Sequence, residues 1–131
     1  AMSFVKNPSQ RIEQILEYFP ILKDHLSRKG GVLSGGQQQQ LAISRALMPN
    51  PKMILLDEPT EGIQPNVVHE ISIILNRISS EMGISILMVE QNLRFARKVA
   101  QRFFIIQKGT IVSMGAMDQL DQSLVDQYLT V

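Results

Sequence analysis

Two short stretches of this 131-residue sequence carry residue types that could do chemistry. The first is Leu33-Ser34-Gly35-Gly36-Gln37, a serine and two glycines standing directly before a helical pattern. Such a turn makes an anion site. Backbone N–H groups point outward, the helix dipole favours negative charge, and the Ser34 hydroxyl adds a donor. The glycines let the backbone approach an oxyanion closely. The second is Met53-Ile54-Leu55-Leu56-Asp57-Glu58, an apolar run that delivers two carboxylates. Ligands of doubly wound sheets bind just outside the C-terminal ends of the strands. There, Asp57 could hold a hard cation such as Mg²⁺, directly or through water, and Glu58 could orient or deprotonate a water. Taken singly, each has a plainer reading: an N-cap on a flexible linker, and a solvated acidic pair.

These residues need elements to position them. The spacing of Ile12, Ile15, Leu16 and Phe19 predicts a helix over 9–29, kinked at Pro20, resuming over 21–28 and ended by Gly30-Gly31. A second helix is expected over 37–48, stopped by Pro49 and Pro51. The run 53–56 reads as a strand buried on both faces, ended before Pro59. Val67, Ile71, Ile74, Leu75 and Ile78 form the stripe of an amphipathic helix over 66–80. A β-branched strand over 84–90 and a short helix over 93–100 follow. Residues 102–107 and 110–114 read as strands about a Lys108-Gly109 turn, and Asp118 as the cap of a last helix running to about 129. Strand–helix alternation argues for an α/β fold with a parallel core.

Composition narrows the function classes. Hydrophobic residues make up 44% and charged residues 19%, enough to bury a core and too ordered in character for a disordered tail. A net charge of +1, from 13 Lys and Arg against 12 Asp and Glu, excludes the basic footprint of a dedicated nucleic-acid binder. Lys6, Arg11, Lys23, Arg28 and Lys29 read as a solvated helix face. With no Cys there are no disulfides and no thiolate metal ligands. No apolar run reaches the roughly 18 residues of a membrane span, and no secretory signal opens the chain. Ala1-Met2-Ser3 reads as a remnant ahead of an initiator Met. His25 and His69 are expected in helices with surface or core roles, and the seven Met as core filler.

Joined by one helix, the two motifs form the segment LSGGQQQQLAISRALMPNPKMILLDEPT. It resembles the nucleotide-binding subunits of ABC transporters. Residues 33–37 are similar to the ABC signature, 53–58 to Walker B, 60–64 to the D-loop, and 84–92 to the strand leading into the switch loop. EPTEGIQP and MVEQN, with the closing hairpin and helix, resemble the subunits of branched-chain amino-acid and urea importers, the urea type nearer by EPTEGIQP.

The resemblance implies the C-terminal part of a P-loop NTPase (ABC ATPase) fold, with a parallel sheet flanked by helices. Residues 1–32 would end a helical subdomain, and 33–131 would form the C-terminal part of the ATPase core. It implies ATP and Mg²⁺ as cofactors, bound between two nucleotide-binding subunits. Leu33, Ser34, Gly35, Gly36 and Gln37 would clamp the γ-phosphate of ATP held on the partner. Asp57 would organise Mg²⁺ through water, Glu58 would be the catalytic base, and Gln91 would stand at the switch position. Residues 62–64 would cross the dimer interface. The implied partners are a second nucleotide-binding subunit and membrane permease subunits, with no nucleic acid. The implied place is peripheral, on the cytoplasmic face of the inner membrane, where ATP hydrolysis drives solute uptake.

Three departures matter. No G-x-x-x-x-G-K-[ST] occurs, so the phosphate loop and its Lys are missing, as are the glutamine loop and the base-stacking aromatic. The sequence thus reads as part of a subunit roughly twice as long, and these residues alone are expected neither to bind ATP tightly nor to hydrolyse it. Gln91 replaces the usual switch His and cannot carry a proton near neutral pH. Gln40 stands where many relatives have Arg or Lys. In the family, the strand bearing the phosphate loop lies between the counterparts of 84–89 and 103–107. Without it two apolar edges stand open, and self-association or a rearranged sheet is expected. Rival readings are a fragment of a DNA-repair or chromosome-type ABC ATPase, and a non-enzymatic docking module.

Overall fold

The computed structural model describes residues 7–27 and 29–129. Lys6, Arg28 and the Ala1-Met2-Ser3 opening lie outside them. The chain opens with helix α1 (Pro8–Leu16), capped by the Asn7 side chain, and α2 (Pro20–Lys23). Pro20 begins α2 rather than kinking a continuous helix, because its ring suits the first helical turn. The expected helix over 21–28 stops at Lys23. Turns follow Lys23, and a 3₁₀ turn forms at Gly30–Val32. His25 therefore lies in a turn, not in a helix.

Helix α3 (Gly35–Leu47) starts at the cap Ser34 and brings the buried Arg11 of α1 to its far end. Arg11 Nη2 donates to the carbonyl of Leu47 at 2.7 Å, satisfying one of the acceptors that a helix C-terminus leaves open. Strand β1 (Met53–Asp57) runs into the turn that leads to α4 (Pro65–Met82). Gly83 closes α4 at φ 64°, a left-handed cap that glycine adopts without a Cβ penalty. Strand β2 (Ser85–Val89), helix α5 (Leu93–Val99), the hairpin β3 (Arg102–Gln107) and β4 (Thr110–Ala116), and helix α6 (Gln122–Tyr128) complete the order. Lys108 and Gly109 both take positive φ at the hairpin turn, as the alternation predicted. Asp118 falls in a 3₁₀ turn; Asp121 caps α6, its carboxylate accepting from the Leu124 N–H at 2.9 Å.

Two sheets result. β1 and β2 pair in parallel, Met53 beside Ser85 and Asp57 beside Val89. β3 and β4 pair antiparallel, with an irregularity between Ile105 and Ile106. β2 and β3 do not pair, so the sheet is not closed by a rearranged order. One apolar cluster joins α1 to α5 with both parallel strands; Phe19, Leu47, Ile71, Leu75 and Ile78 are fully buried in it. A second joins Phe103, Ile105, Leu120 and Val125.

The expectation that β1 is buried on both faces is corrected. Ile54 and Leu56 are buried, but Leu55 is 72% exposed, with Leu87 at 52% and Val89 at 59% beside it on β2. Helices cover one face of this parallel sheet among the described residues. The other face is apolar and open.

Candidate functional site

The serine-glycine turn forms the capped N-terminus of α3. Ser34 Oγ accepts from the Gln37 N–H at 3.3 Å, and Gln37 Oε1 accepts from the Ser34 N–H at 3.0 Å, a reciprocal capping box. The box consumes Ser34 Oγ as an acceptor only, so its O–H proton stays available to donate. The Gly35 and Gly36 N–H groups, at the first helical turn, engage no hydrogen bond among the described residues. Ser34 and Gly35 are exposed. A Cβ on Gly35 would meet nothing within 4 Å, so its surroundings are open. Gly36 is different. A Cβ there would lie 2.6 Å from Val67 Cγ1, so its missing side chain lets α3 pack on α4. Leu33 is buried in the core below, and its carbonyl accepts from Gln38 Nε2.

The acidic pair lies at the C-terminal end of β1, as the sequence predicted. Asp57 is exposed, projects on the open face of the sheet, and makes no side-chain hydrogen bond among the described residues. Among the described residues no three His, Cys, Asp or Glu side chains cluster as a metal cage. One free carboxylate fits a cation that keeps most of its waters, the habit of Mg²⁺. Glu58 takes φ 43°, a left-handed conformation that costs a non-glycine residue about 1–2 kcal/mol. Its N–H still extends the ladder to the Val89 carbonyl at 2.9 Å, while its carboxylate turns away to accept from Gln91 Nε2 at 2.5 Å.

Sequence reasoning missed what holds this pair in place. Glu90 is a clamp: Oε2 accepts from the Thr60 hydroxyl at 2.8 Å and Oε1 from the Asn92 N–H at 2.8 Å. Asn92 then caps α5, accepting from the Phe95 N–H at 3.1 Å. The segment after β2 is thereby tied to the turn after β1, one residue on either side of Gln91. A polar Thr60 beside the buried Pro59 was the available signal. Glu58 and Gln91 are thus brought together. No hydrogen bond among the described residues joins them or Asp57 to the Ser34–Gln37 turn. Gln40 is buried in α3, and His69 is exposed on α4.

A crystal structure of an ABC transporter ATP-binding cassette in its ADP conformation superposes with a TM-score of 0.78 at 32% identity, over 93% of this chain and 50% of that one. The chain has the fold of an ABC ATP-binding cassette. Residues 4–61 match the family model described as ABC transporter. The high-affinity branched-chain amino acid transport ATP-binding protein BraG of Pseudomonas aeruginosa is 40% identical over 121 residues, 91% of this chain and 52% of BraG. The arginine transport ATP-binding protein ArtP of Haemophilus influenzae is 36% identical over 118 residues, 90% of this chain and 44% of ArtP. The chain spans about a third to a half of the length of the curated relatives it matches. A dimeric cassette bound to ADP and phosphate also superposes, with a TM-score of 0.71 at 29% identity, over 82% of this chain and 46% of that one. No helix among the described residues is long and apolar enough to cross a membrane.

Proposed function

We propose that this cassette segment belongs to an ATP-hydrolysing subunit of an amino-acid importer, and that it supplies the signature turn and the hydrolytic carboxylate. The Glu58–Gln91 pair at the strand tip carries the reading. Glu58 takes a strained left-handed backbone and its carboxylate is held by Gln91, which supports a functional role for the pair. BraG and ArtP, named for amino-acid transport, support the solute class; the urea alternative rests on the EPTEGIQP phrase alone.

In this reading Glu58 accepts a proton from the attacking water. Gln91 holds the carboxylate on the side where that water sits. Asp57 would hold a hydrated Mg²⁺ through its waters. Ser34, with the Gly35 and Gly36 N–H groups, donates to phosphate oxygens presented by a second subunit, Gln37 bracing the turn and Leu33 anchoring it. Bound ATP·Mg²⁺ supplies the transferable phosphoryl group and the charge that these donors meet. Residues 1–32 would close a helical subdomain, and 33–131 would supply part of the ATPase core. The open apolar face of β1 and β2 would be covered by cassette residues outside this sequence. Permease subunits would be the membrane partners, with the assembly peripheral on the cytoplasmic face. These 131 residues alone, lacking a phosphate loop, would not hydrolyse ATP.

Calorimetric titration of ATP·Mg²⁺ into the full-length protein, with phosphate release followed in parallel, tests the proposal. Binding stronger than about 1 mM, accompanied by turnover, is expected. A full-length protein that neither binds nor hydrolyses ATP overturns it.

A further inference from the structure

His25 stands against the signature turn from outside it. Its Nε2 lies 3.2 Å from Gln37 Nε2. The orientation of the Gln37 amide is not free: the Ser34 N–H is a donor, so the oxygen must face Ser34 and the NH₂ group must face His25. His25 Nε2 is then the acceptor, and the ring proton sits on Nδ1. Nδ1 is sealed from solvent and has no hydrogen-bond partner among the described residues. It belongs to the wall of an apolar cavity of about 300 Å³ under the turn, which Gly30 and Leu33 also line. Helix α1 presents only Ile12, Ile15 and Leu16 to that cavity, and α3 presents one charged group, Arg45. Along its own segment the neighbouring charges in the sequence are Lys23, Asp24, Arg28 and Lys29.

We infer that His25 is a proton-sensitive positioning residue for the signature turn, acting through Gln37. The neutral ring accepts from the Gln37 NH₂ group and so locks Gln37 Oε1 onto the Ser34 N–H. The imidazolium carries N–H on both nitrogens. Its Nε2–H meets the Gln37 NH₂ donor to donor, and the contact can be restored only by turning the amide over. That rotation removes Oε1 from Ser34 and opens one arm of the capping box. The turn therefore has two arrangements, selected by one proton on a residue twelve positions upstream. The consequence for turnover rests on the proposed function; the contact itself does not.

The test follows the Gln37 side-chain NH₂ and the Ser34 backbone amide by nitrogen-15 NMR in the full-length protein, between about pH 5 and pH 8, where imidazoles titrate. Both signals are expected to move with the midpoint of the His25 ring signals. Gln37 and Ser34 signals that stay still across that range would overturn the inference. This arm needs no variant and no nucleotide. A second arm compares pH profiles of ATP turnover. Acidification to about pH 6 is expected to slow the unmodified protein two- to fivefold more than His25→Asn, which has no titrating ring. Matching profiles in the two proteins would also count against the positioning role, since a merely structural histidine changes the level and not the shape. A protein whose Gln37 and Ser34 signals move with pH as expected but which never binds ATP would overturn the functional proposal and leave the positioning intact.

Discussion

The two faces of the β1–β2 sheet are made of the same kinds of residue and have opposite fates. On the inner face Ile54 and Leu56 meet α4, whose Ile71, Leu75 and Ile78 are 0% exposed. On the outer face Leu55 stands 72% exposed beside Leu87 and Val89. The outer face of the hairpin repeats the pattern, with Phe104 and Ile106 exposed on β3 and Ile111 and Met114 on β4. Apolar surface left in water is unfavourable by about 25 cal/mol per Å², so a contiguous face of this kind marks a contact surface. Asp57 projects from that same outer face, so the carboxylate and the exposed apolar surface are neighbours.

The difference predicts unequal responses to the same substitution. Leu75→Ala, on the covered side, should cost about 2–5 kcal/mol in denaturant unfolding. Leu55→Ala should fall within about 0.5 kcal/mol in the 131-residue polypeptide. In the full-length protein it should cost about 2 kcal/mol or more if cassette residues cover it, and equal small losses in both settings would break the comparison. Gly36→Ala drives a methyl into Val67 at the α3–α4 contact and should cost about 1–3 kcal/mol, read as a lowered unfolding midpoint. Gly83→Ala, at φ 64° with open space around it, has only backbone strain to meet and should cost about 1 kcal/mol.

The smallest effect lies on the exposed side of α4. The hydrogen bond from Arg77, then that from Tyr18, holds the Glu81 carboxyl below its ordinary range. A lowered folded-state value adds stability above the unfolded pKa, and that stability is lost as pH falls through the folded one. Arg77→Met should flatten this acid-side slope slightly in unfolding measured from neutral pH into the acid range. The pair is solvent-exposed, so the change should be near the limit of detection.

Local rules were legible in the sequence wherever one stretch of chain satisfies itself. Ser34 caps α3, the stripe of α4 packs as its spacing required, and Lys108-Gly109 turns the hairpin. Asp57 and Glu58 were placed at a strand end because Pro59 cannot continue a ladder. What depended on distant partners was not legible. The apolar run 53–56 carries no record of whether its second face is covered, since periodicity cannot separate a doubly buried strand from one awaiting a partner. Asp118 and Asp121 are equally good caps in isolation, and the 3₁₀ turn at Met117–Gln119 moves the choice to Asp121. The Glu90 clamp spans 30 residues to Thr60, and no local pattern announces it.

The claim on which the account turns is that Glu58, held by Gln91, moves the proton of the attacking water. Glu58→Gln keeps the size of the side chain and removes its basicity. In the full-length protein the account predicts ATP turnover lowered about 10²–10⁴-fold with ATP affinity kept within a few fold. Turnover within twofold of the unmodified protein would contradict it.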